Sequence, residues 1–235
     1  MTLFLNKLAL STFYLVAQKK GYSFSQVRSP YDYKQAEDFY DAEGLSFPAS
    51  LSVKVHNYKA GSIYFIAYQH SKPVGVVRLG NPKVVNRPYE LYGVDKEGVH
   101  HEIQSLIVNK EQNNEAQFVM LGLLREMYIY SLKNNIKSWS CCSPRSMYLT
   151  MSRYSDTIET TEIDFSKIDT PLTQFLYNNK IIETYFTLDV SSFSPWVILI
   201  KFIKSSIKKW ELPNSLKFLP KTYGIDKLNF SITKN

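Results

Sequence analysis

Three stretches of the chain carry side chains that could bind or activate a substrate. The first ends an apolar run at Arg78. The second places His100, His101 and Glu102 at the head of the apolar run 103–108. The third sets Cys141 beside Cys142 and follows them with Ser143 and Ser146. Glu102 suits a general base working through a water, and equally a surface carboxylate at a strand start. Arg78 suits the binding of a carboxylate, or an ion pair that orders its surroundings. The two histidines titrate near neutral pH, and either could take a proton or simply be solvated in a loop. No spacing of Cys and His suggests a metal site. No G-x-S-x-G elbow surrounds Ser143 or Ser146, and Ser143 is better explained as a helix cap.

The elements that must position these residues follow from hydrophobic pattern and punctuation. The segment 101–144 reads as strand, helix, strand: an apolar run at 103–108, a polar loop, a long apolar helix over 115–133, and a short apolar run at 139–142. A crossover of that length brings two strands in parallel and leaves a crevice at their ends. The long helix is apolar on more than one face, which predicts burial between the sheet and another layer. Upstream, 1–20 reads as a helix packed on the domain and 22–27 as a strand. A helix follows at 33–44. Residues 62–69 and 74–79 form a hairpin, and 80–88 is a loop with two prolines. Downstream come a helix at 144–154, a strand at 157–163, a short helix at 170–178 and a strand at 183–190. The fold class is therefore α/β (α+β): a mixed sheet, antiparallel at its start and parallel at the central crossover.

Composition sets the bounds. The chain has 235 residues, 44% of them hydrophobic and 14% aromatic, enough for a sizeable core. No 20-to-50-residue repeat is visible, and no segment reads as a transmembrane helix. Lys7 interrupts the apolar N-terminus and no basic charge precedes it, which argues against a signal peptide. Cys141 and Cys142 are neighbours on a strand, so they point to opposite faces and do not pair with each other. That fits a reducing cytoplasm. The net charge is +7. Residues 196–235 hold eight lysines against Glu211 and Asp226, which leaves the rest of the chain nearly neutral. The basic character belongs to this extension and no nucleic-acid motif accompanies it. The expected organisation is a domain over 1–193 and a basic extension over 194–235. In the extension, Trp196, Ile200, Ile203, Ile207 and Trp210 share a helix face flanked by lysines. That face suits an anionic membrane surface, the acidic face of a protein partner, or packing on the sheet.

With its residues, this order resembles the GNAT-like acyltransferases, and most of all their acyl-homoserine-lactone synthase and N-acyl amino acid synthase branch. Gly75-Val76-Val77-Arg78-Leu79 matches the branch's G-x-x-R-L at the end of a hairpin strand. Arg87-Pro88-Tyr89 follows in the loop where the lactone synthases carry a similar Pro-Tyr. Glu102 opens the strand where the branch has its Glu. The resemblance covers roughly residues 22–190. It departs at Ser105, which stands in place of the branch's Arg. It departs again at Gln112-Asn113-Asn114-Glu115-Ala116-Gln117, which lacks the glycines that cradle the coenzyme A pyrophosphate in the wider superfamily. Glu115 adds a negative charge where a phosphate would sit.

The resemblance implies a GNAT-like sheet whose central parallel strands splay apart, with an N-terminal helix and a C-terminal amphipathic helix. It implies transfer of a fatty acyl group from a thioester to the amine of an amino acid or other small amine. The donor is a co-substrate, acyl carrier protein or acyl-CoA, and no bound cofactor is required. The loop around Glu115 favours the carrier protein, whose arm brings no pyrophosphate. Glu102 would be the base, and Arg78 would hold a carboxylate or order the site. Ser105, Leu106, Ile107 and Val108 on one strand, and Ser140 and Cys141 on the other, would line the substrate slot. Met120 and Leu124 of the long helix would line an acyl tunnel or serve as core. Tyr148 and Tyr154 lie where many acetyltransferases carry a general acid, but neither sits in the usual motif. Two rivals stand beside this reading. One is an N-acetyltransferase dependent on acetyl-CoA. The other is a shell without catalysis that binds a membrane or partner through 196–210. The expected place is the cytoplasm or the inner face of the membrane.

Overall fold

A computed structural model describes residues 2–43, 60–153, 155, 157–164 and 170–193. The helix expected from Ser194 onward, Gly44 and Tyr154 lie outside the described residues. One seven-stranded mixed sheet organises the rest, in the order β1-β2-β3-β4-β5-β7-β6. Its strands are β1 Tyr22–Gln26, β2 Ile63–Gln69, β3 Lys72–Gly80, β4 His101–Val108, β5 Ser138–Ser143, β6 Glu159–Thr161 and β7 Thr184–Asp189. Among the described residues six α-helices accompany them: α1 Thr2–Lys19, α2 Pro30–Glu43, α3 Arg87–Tyr92, α4 Ala116–Lys133, α5 Arg145–Met151 and α6 Pro171–Asn178.

Local chemistry explains most of the boundaries. The β2–β3 hairpin turns on two residues, His70 and Ser71, with φ of 47° and 68°. Positive φ at both positions matches the twist of the strands it joins. The turn is therefore tighter than the four residues 70–73 that the sequence suggests. Thr170 caps α6 by accepting from the Thr173 amide, and Pro171 occupies the first turn, where its missing N–H costs nothing. Short α3 begins inside the segment 80–88 that the sequence suggests is loop. Asn86 caps it, Pro88 sits in its first turn, and Gly93 closes it in the left-handed conformation with φ of 66°. Ser143 is not the cap of α5. It is the last residue of β5, and extended Pro144 occupies the cap position without a side-chain bond.

Alternating side chains sort the core onto two faces. Phe65, Val77, Leu79, Ile103, Trp139, Cys141, Phe186 and Leu188 pack towards α4 and α1. Tyr64, Ile66 and Val76 pack under α2, while Cys142 and Tyr185 pack under α3 and α6. The two cysteines thus lie on opposite faces, free and buried. Helix α4 is buried on both sides, as its composition predicts. One side lies on the sheet, and the other meets α1, where Phe118 stacks on Phe13 with ring centroids 5.7 Å apart. Gly122 permits this depth: a Cβ there would fall 2.1 Å from the Phe24 ring. Trp139, fully buried on β5, donates its indole N–H to Ser131 of α4 at 2.9 Å. That bond ties the end of the crossover helix to the strand it leads into.

Candidate active site at the parting of two strands

Strands β4 and β5 run parallel, but they pair at only two positions: His101 with Trp139, and Glu102 with Ser140. Beyond that fork each strand keeps its outer partner. β5 stays paired with β7 from Ser138 to Ser143, and β4 stays paired with β3 as far as Val108. From Ile103 and Cys141 onward, the two facing edges carry no strand partner. Backbone groups on such an edge are obligatory donors and acceptors with nothing to bond across the gap.

A bulge helps to open the fork. Two residues of β4, Ser105 and Leu106, oppose the single residue Val77 of β3. Ser105 takes a φ of 51°, uncommon for a residue with a side chain. An extra residue bends a strand and shifts its alternation by one. Ile103, before the bulge, faces α4. After the bulge Leu106 and Val108 face α4, and Ile107 joins the cluster under α2.

A cavity of about 230 Å³ fills the fork. Ile103, Ser105, Leu106 and Ile107 line it from β4, and Cys141, Cys142 and Ser143 from β5. Leu124, Met147 and Met151 close it on one face; Leu91, Leu172, Leu176 and Ile182 close it on the other. It therefore passes between the strands and joins the two faces of the sheet. Its apolar wall suits a hydrocarbon chain. Its polar side chains are few: Tyr40, Arg78, Arg87, Ser105 and Ser143.

The two arginines of this wall differ. Arg87 is matched by Glu102. Its Nε donates to both carboxylate oxygens, at 3.0 and 2.9 Å, and its Nη2 also donates to Oε1. The Gln104 side chain donates to Oε2 at 2.8 Å. Burial works against the Arg87 charge, but the adjoining carboxylate outweighs it and holds the guanidinium even more firmly protonated than usual. Arg78 forms no ion pair among the described residues. It is 1% exposed, and it donates from Nη2 to Ser105 Oγ at 2.8 Å. Its guanidinium carbon lies 4.9 Å from the Tyr40 ring centre and 5.9 Å from that of Tyr64.

The residues singled out in the sequence fall into three groups. Arg78, Ser105, Leu106, Ile107, Cys141 and Leu124 line the cavity. Glu102 and Ser140 form the last strand pair before the fork. Both are buried, and Glu102 reaches the cavity through Arg87. Val108 lies at the far end of β4 opposite Gly75, and Met120 is a core residue of α4; neither lines the cavity. Burial first, and then the nearby Glu102 charge, push the Cys141 thiol up to about 12 and Cys142 well above its ordinary value, so neither is a thiolate at neutral pH. His100 Nδ1 lies 2.7 Å from Ser138 Oγ, and burial lowers the pKa of His101. Neither histidine lines the cavity, nor do Ser146 and Tyr148. Among the described residues no group of three or more His, Cys, Asp and Glu side chains comes together to hold a metal. Sequence reasoning missed Arg87 and Tyr40 as wall residues. Arg87 had a signal, as a cation beside the fork's acidic residue in the matched motifs. Tyr40 had none, because only the packing of α2 brings it over Arg78.

The loop before α4 is wound into a 3₁₀ turn, Lys110–Glu115, that runs straight into the helix. A continuous helical run moves the unpaired N–H groups away from the start of α4. Glu115 is engaged there: Lys20 donates to it at 2.8 Å and the Tyr22 hydroxyl also bonds it. Burial opposes its charge, but these donors prevail and lower its pKa. The ion pair with Lys20 mutes the repulsion that the bare sequence suggests. The open anion-binding loop is nonetheless absent.

No family model matches the chain, and no curated protein does. Solved structures do. FeeM, an N-acyl amino acid synthase from uncultured soil microbes, aligns over 72% of this chain and 91% of its own at 11% identity, with a TM-score of 0.52. The AHL synthase LasI aligns over 75% of this chain and 93% of its own at 14% identity, with a TM-score of 0.48. An acetyltransferase of the GNAT family from Staphylococcus aureus Mu50 aligns over 72% and 99% at 13% identity, with a TM-score of 0.42. What the chain shares with the synthase is architecture: it has the GNAT acyltransferase fold.

Proposed function

We propose that this protein is an N-acyltransferase that moves a fatty acyl group from a carrier thioester to the amine of a small acceptor. The observation that carries the reading is the fork: two parallel strands that part after Glu102 and Ser140 around an apolar cavity. The freed edges of β4 and β5 supply main-chain N–H donors to the thioester carbonyl and the pantetheine arm. Fixed donors aimed at a developing oxyanion contribute several kcal/mol to such a step. The amine attacks as its free base. Its nitrogen bonds to the carbonyl carbon, the carbon–sulfur bond breaks, and the thiol leaves with the proton. The apolar walls on both faces of the sheet receive the acyl chain.

Glu102 fits a positioning role in this reading. Arg87 and Gln104 occupy both its oxygens, so taking a proton from the amine would require the pair to open. Held shut, the pair keeps Arg87 in the cavity wall and cancels its charge. The closed turn before α4 favours a donor without a pyrophosphate, and so an acyl carrier protein over acyl-CoA. The test is incubation of the purified protein with acyl carrier protein loaded with chains of several lengths and a panel of small amines, followed by mass spectrometry. Amide products from the loaded carrier support the reading. No product with any chain or amine contradicts it. Micromolar acetyl-CoA binding by calorimetry would favour the acetyltransferase alternative.

A further inference from the structure

Helix α1 keeps one apolar side in the core and turns another to solvent. The inner side is fixed. Ala9, Phe13 and Ala17, four residues apart, are buried in one cluster with α4. Arg125 of α4 donates to the Leu10 carbonyl at 3.1 Å, with its guanidinium carbon 5.9 Å from the Phe13 ring centre. On the outer side Leu8 is 49% exposed, Leu15 60% and Tyr14 41%. Leu8, Ser11 and Leu15 recur at helical spacing, so they form one exposed strip along the helix. A helix apolar nearly all round is one that something covers on both sides. Charge points to what covers this one. Helix α1 contains Lys7 and Lys19 and no acid. On the far face of the sheet, α2 carries Asp32, Glu37, Asp38, Asp41 and Glu43 against Lys34. A two-fold contact between copies brings a patch against itself and would set these lysines against lysines. The lysine-rich extension has the same sign of charge as α1 and is an equally poor match. An anionic bilayer supplies both hydrocarbon for the leucines and phosphates for the lysines.

We infer that the outer side of α1 is a docking surface for an anionic phospholipid bilayer. Leu8 and Leu15 enter the boundary of the acyl layer, and Tyr14 and Lys19 sit at the level of the headgroups. Packed on α4 along its inner side, α1 lies in the interface plane and does not cross it. With α1 against the lipid, the acids of α2 are on the far face of the sheet, away from the negative surface. The contact goes beyond the acyl-transfer reading and does not depend on it.

Sedimentation of the full chain with lipid vesicles tests this. Wild type should bind vesicles made of equal parts phosphatidylcholine and phosphatidylglycerol. It should bind phosphatidylcholine alone less, and high salt should shrink the difference. Leu8→Gln combined with Leu15→Gln should weaken binding by about tenfold, while Leu8→Met combined with Leu15→Phe should retain it. The changes lie on an exposed side, so urea denaturation should match wild type. Amide exchange over 8–15 should slow when the mixed vesicles are present. No wild-type binding to either vesicle would overturn the docking surface. Equal binding by wild type and the double glutamine variant would overturn it too, by putting the contact elsewhere in the chain. A dimer that the same variant breaks, without vesicle binding, would assign the strip to a second copy. Should that variant fail to fold, the wild-type exchange pattern decides: no slowing over 8–15 refutes the contact. Failure of acyl transfer would leave vesicle binding untouched, and absence of vesicle binding would leave the transfer assay untouched.

Discussion

Replacing Glu102 by glutamine removes one negative charge and almost no volume. The Arg87 guanidinium then stays in the cavity wall without its counter-charge. The pair is well shielded: the side chains of Arg87 and Glu102 retain 15% and 3% of their exposure. Breaking a buried pair by removing one partner costs roughly 3–5 kcal/mol, because the surviving charge is stranded. At about 2–4 °C per kcal/mol for a chain of this size, the midpoint should fall by roughly 6–20 °C. Removing both charges with Arg87→Met and Glu102→Gln should recover much of the loss, since an apolar replacement of a buried pair is often close to neutral. Urea denaturation of the wild type, both single variants and the double variant closes a mutant cycle and isolates the coupling. A Glu102→Gln loss below about 1 kcal/mol, with no coupling, would refute the claim that this pair is a buried internal charge match. Transfer rates add a second reading. A positioning residue should shift KM and leave the pH profile in place, whereas loss of a general base should remove its acid limb.

Other outcomes follow from particular contacts. Gly122→Ala should destabilise by about 1–3 kcal/mol by overpacking, although alanine is the better helix former by about 1 kcal/mol, because the new Cβ meets the Phe24 ring. Combining it with Phe24→Leu should relieve the loss in the same denaturation assay. Leu176→Trp should narrow the cavity and move the acyl preference to shorter chains, read by competition among loaded carriers; an unchanged preference would place the chain elsewhere. His101 yields a pH dependence. Burial holds its folded pKa below the ordinary 6.5, so the unfolded chain binds more protons as pH falls through that range. Its contribution is complete above 6.5 and is lost as pH drops towards the folded pKa. His101→Asn should flatten that part of the stability–pH curve.

Much of the scaffold was legible because it rests on long, periodic segments. The crossover from β4 through α4 to β5, the β2–β3 hairpin and the N-terminal helix all announce themselves through apolar runs and turn residues. Helix α3 was hidden because Pro88 reads as a loop marker until Asn86 and Gly93 are seen to cap one short turn. The bulge at Ser105 was hidden for another reason. The run Leu106, Ile107, Val108 is apolar at every position, so a one-residue shift of alternation leaves no trace in it. The matched motifs drew attention to Arg78 and Glu102, but not to their opposite situations. Glu102 finds Arg87 across a loop, and Arg78 finds the Ser105 hydroxyl and the rings of Tyr40 and Tyr64. That asymmetry depends on tertiary packing, which leaves no local signal.

A structure of the protein with a non-hydrolysable acyl-pantetheine thioether would test the fork most directly. The account predicts the arm lying between the parted edges of β4 and β5, its amides bonded to main chain beyond Ile103 and Cys141, and the acyl chain among Leu124, Met147 and Leu176. An arm bound elsewhere, with those two strands drawn together and hydrogen-bonded past Glu102, would contradict it.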